Sequence, residues 1–123
     1  MTQTGLSEDA GHGTDTAIAV IYTLYDDLQV AEHVVADVVQ SGLAACANIL
    51  SPGRSCYLWN GNYETQTKIP VLFKTSMGQR RALMARLAET HPYDVPAILS
   101  WDAGAAPPYA AWVGTMTGGG APG

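Results

Sequence analysis

Basic residues are scarce in this chain. Six lysines and arginines stand against eleven aspartates and glutamates, a net charge of −5 over 123 residues. The six are scattered at Arg54, Lys68, Lys74, Arg80, Arg81 and Arg86. No basic stripe tracks a phosphate backbone, so no nucleic acid is expected as a partner. No apolar run approaches the ~20 residues of a spanning helix, and no membrane association is expected. Cysteine is limited to Cys46 and Cys56, too few for a disulfide framework. Both are read as small buried hydrophobes with free thiols. No charged segment followed by an apolar one opens the chain, so no export signal is expected and the cytoplasm is the expected location. Histidine occurs only at His12, His33 and His91, with no metal-ligand spacing among them. No P-loop, dinucleotide fingerprint or Gly-x-Ser-x-Gly elbow accompanies them. The protein is not expected to be an enzyme.

Two segments offer little to bury. Residues 1–15 are mostly Thr, Gly, Ser, Asp, Glu and His, and residues 117–123 are mostly glycine; both read as disordered tails. Residues 16–116 remain, enough for a single two-layer domain.

Within that domain, β-branched and apolar residues 16–23 form a first strand. Asp26 with Gln29 reads as a capping box, opening a helix to about Ser41 that buries Ala31, Val34, Val35, Val38 and Val39 at helical spacing. Gly42 is placed to end it. A second strand runs from Leu43 to Trp59 with a kink at Pro52-Gly53. Asn60-Gly61 is a hairpin turn signal, and a third strand follows over residues 63–75. Pro70 removes one ladder donor there, which demands an edge, a bulge or one-sided pairing. Ser76 with Gln79 repeats the capping-box pattern and opens a second helix that buries Leu83, Met84 and Leu87 and leaves Arg80, Arg81 and Arg86 to water. Pro92 stops it. Residues 97–102 are the fourth strand, and a short helix over residues 109–116 is expected to lay Tyr109, Trp112 and Val113 against the body.

The order β-α-β-β-α-β with right-handed crossovers gives an α+β, ferredoxin-like sandwich: one antiparallel sheet, both helices on one face, and an added C-terminal helix. The other sheet face is bare in a single chain. The long ribbon folded at Asn60-Gly61 leaves unpaired strand edges. An assembly is expected.

The blocks 42–49 (Gly-Leu-Ala-Ala-Cys-Ala-Asn-Ile), Pro52-Gly53 with Ser55 and Tyr57, Trp59 with Gly61, Lys74-Thr75, His91-Pro92-Tyr93 and Val95-Pro96 resemble, in order and spacing, the CutA or divalent-ion tolerance proteins. The resemblance covers residues 17–113. It implies a PII-like homotrimer in which the long hairpins pair edgewise, with Tyr57, Trp59, Tyr63 and Trp101 at subunit contacts. It also implies a response to metal ions, with weakly held copper or another divalent cation as the ligand. Of the three positions the resemblance associates with copper, Cys46 and His91 match, while the third falls at Tyr22. Ala97 stands where relatives usually carry Glu, Asn60 where Glu often sits, and Lys68 and Pro70 replace residues more often acidic and aliphatic. An inter-subunit cleft would draw on Lys74, Arg80, Tyr93 and Asp94. The alternative is a PII-like signalling module that binds a nucleotide or small anionic metabolite between subunits, with Lys74, Arg80 and Arg81 holding phosphate where the second helix begins. A scaffold that anchors a partner is a third reading.

Overall fold

The computed structural model describes residues 16–118. Of the tails expected over residues 1–15 and 117–123, residues 1–15 and 119–123 lie outside the described residues. The elements are β1 (Ala17–Tyr25), α1 (Leu28–Gln40), β2 (Cys46–Ile49), β3 (Gly53–Trp59), β4 (Asn62–Thr75), a 3-10 turn (Met77–Gln79), α2 (Arg80–Thr90), β5 (Ile98–Gly104) and α3 (Pro107–Met116). The strands lie in the order β2–β4–β1–β5, every pair antiparallel, and β3 pairs with the far half of β4. This is the order that two split βαβ units require. No helix among the described residues is long and apolar enough to cross a membrane.

The core lies between the sheet and α1 with α2. Alternate β1 residues Ala19, Ile21 and Tyr25 meet Val71 and Phe73 of β4, Ala31 and Val38 of α1, and Leu83 and Leu87 of α2, all inaccessible to water. The expected helix faces are therefore the buried ones, with Val35, Val39 and Met84 at the margin. On the opposite sheet face α3 covers one end only. Val113 packs there with Ile18 and Ala45, while Tyr109 and Trp112, expected against the body, stay partly exposed.

The single long second strand is instead two. Leu50 donates its N–H to the Pro70 carbonyl, and pairing resumes with Gly53 opposite Lys68. Ser51 and Pro52 thus stand against Ile69 alone, one residue more than the partner strand. Pro70 lacks the N–H that would return Leu50's bond, and Pro52 has none to offer. An extra residue reverses the side-chain alternation. Cys46 and Asn48 therefore point to the open sheet face, whereas on β3 that face is taken by Ser55, Tyr57 and Trp59. Cys56 turns to the other face. Neither thiol is fully buried as expected: Cys46 is half-covered and Cys56 exposed, both unbridged. At the ribbon tip Asn60 and Gly61 both have positive φ, 52° and 82°, the two-residue turn that matches strand twist.

Both capping boxes are rearranged. Asp27, not Asp26, caps α1, accepting from the Gln29 N–H at 2.7 Å. Ser76 and Gln79 are drawn to the C-terminal segment. Gln79 Nε2 donates to the Thr117 carbonyl (2.9 Å), and the Thr117 hydroxyl lies 2.9 Å from Ser76 Oγ. Thr117, assigned to a tail from its neighbours' composition, is buried. Arg86, expected in water, grips Asp37 of α1 through two bonds of 3.0 Å.

Candidate functional site

The sheet separates the candidate residues into two groups. At one end, where β4 passes from the sheet into the ribbon, an open groove of about 690 Å³ is lined by Tyr57, Trp59, Glu64, Gln66, Tyr93, Asp94 and Val95. Strand geometry places each wall. The two-residue turn sets Tyr57 directly opposite Glu64 and Ser55 opposite Gln66, so these side chains share the ribbon face that continues the open face of the sheet. Pro92 keeps the chain after α2 extended and brings Tyr93 and Asp94 alongside.

Behind the groove lies a polar cluster. Lys68 Nζ donates to Asp26 Oδ1 and to Tyr93 Oη, both at 2.7 Å. Its ammonium is also 4.5 Å from the Tyr93 ring centroid. The Lys68 hydrogen bond, and then Tyr93, hold the Asp26 carboxyl below its ordinary pKa. Burial pushes the Tyr93 phenol up. For Lys68 itself burial works against the charge, but Asp26 and Tyr93 outweigh it and the ammonium is held above its ordinary value.

His91 sits beneath this cluster on the covered side of the sheet, 8 % exposed. Its Nδ1 accepts from the Tyr93 N–H at 3.2 Å, and its Nε2 lies 2.9 Å from the Leu24 carbonyl and 3.1 Å from Thr23 Oγ1. Thr23 spends its own hydroxyl proton on the Ala97 carbonyl at 2.7 Å. The network thus assigns the Nε2–H tautomer of a neutral imidazole. The ring stacks on Tyr25 at 4.6 Å and 13°. Burial, opposed by the Leu24 carbonyl, lowers the His91 pKa below 6.5.

Cys46 belongs to the second group, at the opposite end of the sheet and on the face opposite to His91. It stands across from Lys74, which stands across from Val20, which stands across from Trp101. His91 bonds Leu24, four residues further along β1, a separation of about 13 Å along the strand alone. Cys46 and His91 are therefore not brought together within the chain, and no group of three His, Cys, Asp or Glu side chains with metal-binding geometry occurs among the described residues. Cys46 Sγ instead lies 3.4 Å from Tyr109 Oη. That contact, with burial, pushes the Tyr109 phenol up to about 12.

The cleft candidates divide likewise. Tyr93 and Asp94 line the groove. Lys74 is bonded to Asn48, and Arg80 is paired with Asp102, both at the Cys46 end. Of the contact candidates, Tyr57 and Trp59 share the groove face, Tyr63 is on the other ribbon face, and Trp101 is on the open sheet. Tyr22, in place of a thiol, is half-buried there between Leu72 and Leu99. Glu64, Gln66 and the Asp26–Lys68 pair were missed as site residues. Counting outward from a two-residue turn at Asn60-Gly61 sets Tyr57 against Glu64, so that signal was available; the Lys68–Asp26 contact, 42 residues apart, left none.

The fold is an antiparallel sheet with two helices on one face and a protruding ribbon. The family model described as CutA1 divalent ion tolerance protein matches residues 19–116. The divalent-cation tolerance protein CutA of Pyrococcus horikoshii is 39% identical over 83 residues, 68% of this chain and 80% of that one. The crystal structure of CutA from Xylella fastidiosa superposes with a TM-score of 0.78 at 33% identity, covering 81% of this chain and 97% of that one. The structure of the divalent ion tolerance protein CutA1 from Ehrlichia chaffeensis gives 0.79 at 29% identity, over 81% and 94%. This chain belongs to the CutA1 family of divalent ion tolerance proteins.

Proposed function

We propose that the chain works as a divalent-cation tolerance protein in the form of a homotrimer, responding to metal ions in the cytoplasm. The observation that carries the assembly is the apolar surface left on the open sheet face and the ribbon. Leu99 is 55 % exposed and Trp101 45 % on the open sheet face, and Leu58 and Tyr63 are 70 % exposed each on the other face of the ribbon, large apolar side chains of the kind that mark interfaces. The free edges of β3 and β5 offer backbone partners for neighbouring copies. Free thiols at Cys46 and Cys56 suit a reducing compartment.

In this reading copper is held weakly. Cys46 supplies one soft donor, while both His91 nitrogens are occupied. Two measurements test the proposal. Light scattering should return three times the 13.0 kDa chain mass; a stable single-chain mass refutes the trimer. In copper titrations, Cys46→Ser should lower uptake, whereas His91→Ala should leave uptake unchanged and lower stability. Equal uptake by Cys46→Ser and the wild type removes Cys46 as the contact.

A further inference from the structure

Two long strand edges are left without a partner among the described residues, those of β3 and β5, seven residues each. The free edge of β2 has only four. Backbone geometry decides which residues on the long edges offer hydrogen bonds outward. At the two-residue turn Trp59 and Asn62 exchange both of their bonds, and bonded and non-bonded pairs alternate from there down the ribbon. Trp59, Tyr57 and Ser55 thus spend their backbone groups on β4, while Leu58, Cys56 and Arg54 point theirs away from it. On β5 the phase is set by the Ala105 N–H, which donates to the Thr16 carbonyl at 3.0 Å. Ala103, Trp101 and Leu99 therefore bond β1, and Asp102, Ser100 and Ile98 point outward.

Every pair in this sheet is antiparallel. An antiparallel ladder between the two edges must match outward groups to outward groups, so its register can change only in steps of two. In one register Arg54 faces Asp102, Cys56 faces Ser100 and Leu58 faces Ile98. Arg54 has no salt bridge among the described residues, and Asp102 gives only its Oδ1 to Arg80. Leu58, exposed in the single chain, gains an apolar partner. On the other face Tyr57 comes opposite Leu99, which is also exposed. A slip of two in either direction sets Cys56 against Ile98 or Asp102 and parts Arg54 from Asp102. Opposite charges and apolar side chains directly across a ladder stabilise it, which selects the first register.

We propose that β3 of one copy pairs with β5 of the next in that register, Arg54 on Asp102 and Cys56 beside Ser100. The two edges differ, so the contact is of the head-to-tail kind that builds rings. The inference rests on the homotrimer proposed above and specifies its ladder. Hydrogen-bonded partners stand about 5.5 Å apart between Cα atoms, within the reach of a disulfide, and Cys56 already supplies one exposed thiol. Ser100→Cys in the full chain, oxidised with diamide, should replace the single-chain band of a non-reducing gel with two-chain and three-chain bands. Adding Cys56→Ser should abolish them. Ile98→Cys and Asp102→Cys report the slipped registers and should couple more slowly than Ser100→Cys; faster coupling at either overturns the register. Absence of coupling at all three positions, in a particle whose light scattering gives three chains, overturns the ladder and leaves the trimer. A particle of one chain removes both.

Discussion

The two faces of the sheet use the same strands to different ends. On the covered face Ile21 is flanked by Phe73 and Ser100, and on the open face its neighbour Val20 is flanked by Lys74 and Trp101. Phe73 is sealed under the helices, while Trp101 stands nearly half in water. One face is complete within a single polypeptide. The other is apolar without a cover of its own beyond the short reach of α3. Stability is therefore settled on the first face, and the proposed association falls to the second.

Paired truncations break or sharpen that contrast. Phe73→Ala should lower unfolding free energy by about 3–5 kcal/mol, the usual cost of emptying a sealed aromatic site, at any protein concentration. Trp101→Ala should cost a dissociated chain about 1 kcal/mol or less, and an assembled one about 2 kcal/mol or more if this Trp anchors the contact. Denaturant titrations at protein concentrations a hundredfold apart distinguish the two. A concentration-independent loss of equal size at both positions would erase the difference between the faces.

His91 tests the covered face at its margin with a smaller effect. Its neutral ring is buried against Tyr25, with the Lys68 ammonium opposing a second proton and Asp26 favouring it. A histidine whose folded pKa lies below its unfolded value stabilises the fold fully above about pH 6.5 and loses that contribution as pH falls from there toward the folded value. The slope should reach at most about 1.4 kcal/mol per pH unit. Asp26, also depressed, acts lower down, giving up its contribution only as pH falls below the ordinary carboxylate range. His91→Gln should flatten the upper window alone, read from melting temperatures across pH 5 to 8. An unchanged profile would mean that the ring is not held neutral.

What was legible in the residues follows the same division. The covered face was readable because periodicity carries it: Ala31, Val34 and Val38 at helical spacing, and the apolar alternation of β1. The ribbon turn was readable because Asn60-Gly61 leaves few backbone choices. The bulge was announced by Pro52 and Pro70, yet its consequence, the reversal that sends Cys46 and Cys56 to opposite faces, needs the pairing register. Local signals misled where distant residues claimed the same atoms. Asp26 left the α1 cap for Lys68, and Ser76 with Gln79 left the α2 cap for Thr117, which glycine-rich neighbours had disguised as tail. The Cys46–His91 pairing rested on resemblance, and the sheet stands between them. The groove carboxylate Glu64 was one step of register counting away from Tyr57.

The smallest expected effect concerns the helix layer itself. Asp37 and Arg86 join α1 to α2 by two bonds of 3.0 Å, and the pair invites the idea that charge fastens the helices together. Both side chains are about a third or more exposed, so water screens much of their attraction, and such pairs typically contribute about 0.2–1 kcal/mol. A double-mutant cycle with Asp37→Ala and Arg86→Ala should therefore give a coupling below about 1 kcal/mol, several times less than the loss at Phe73. A coupling that matched the Phe73 value would show the helices clamped from outside by the ion pair. A small one leaves Leu83, Leu87 and Val38 to hold the covered face, which is complete within one chain.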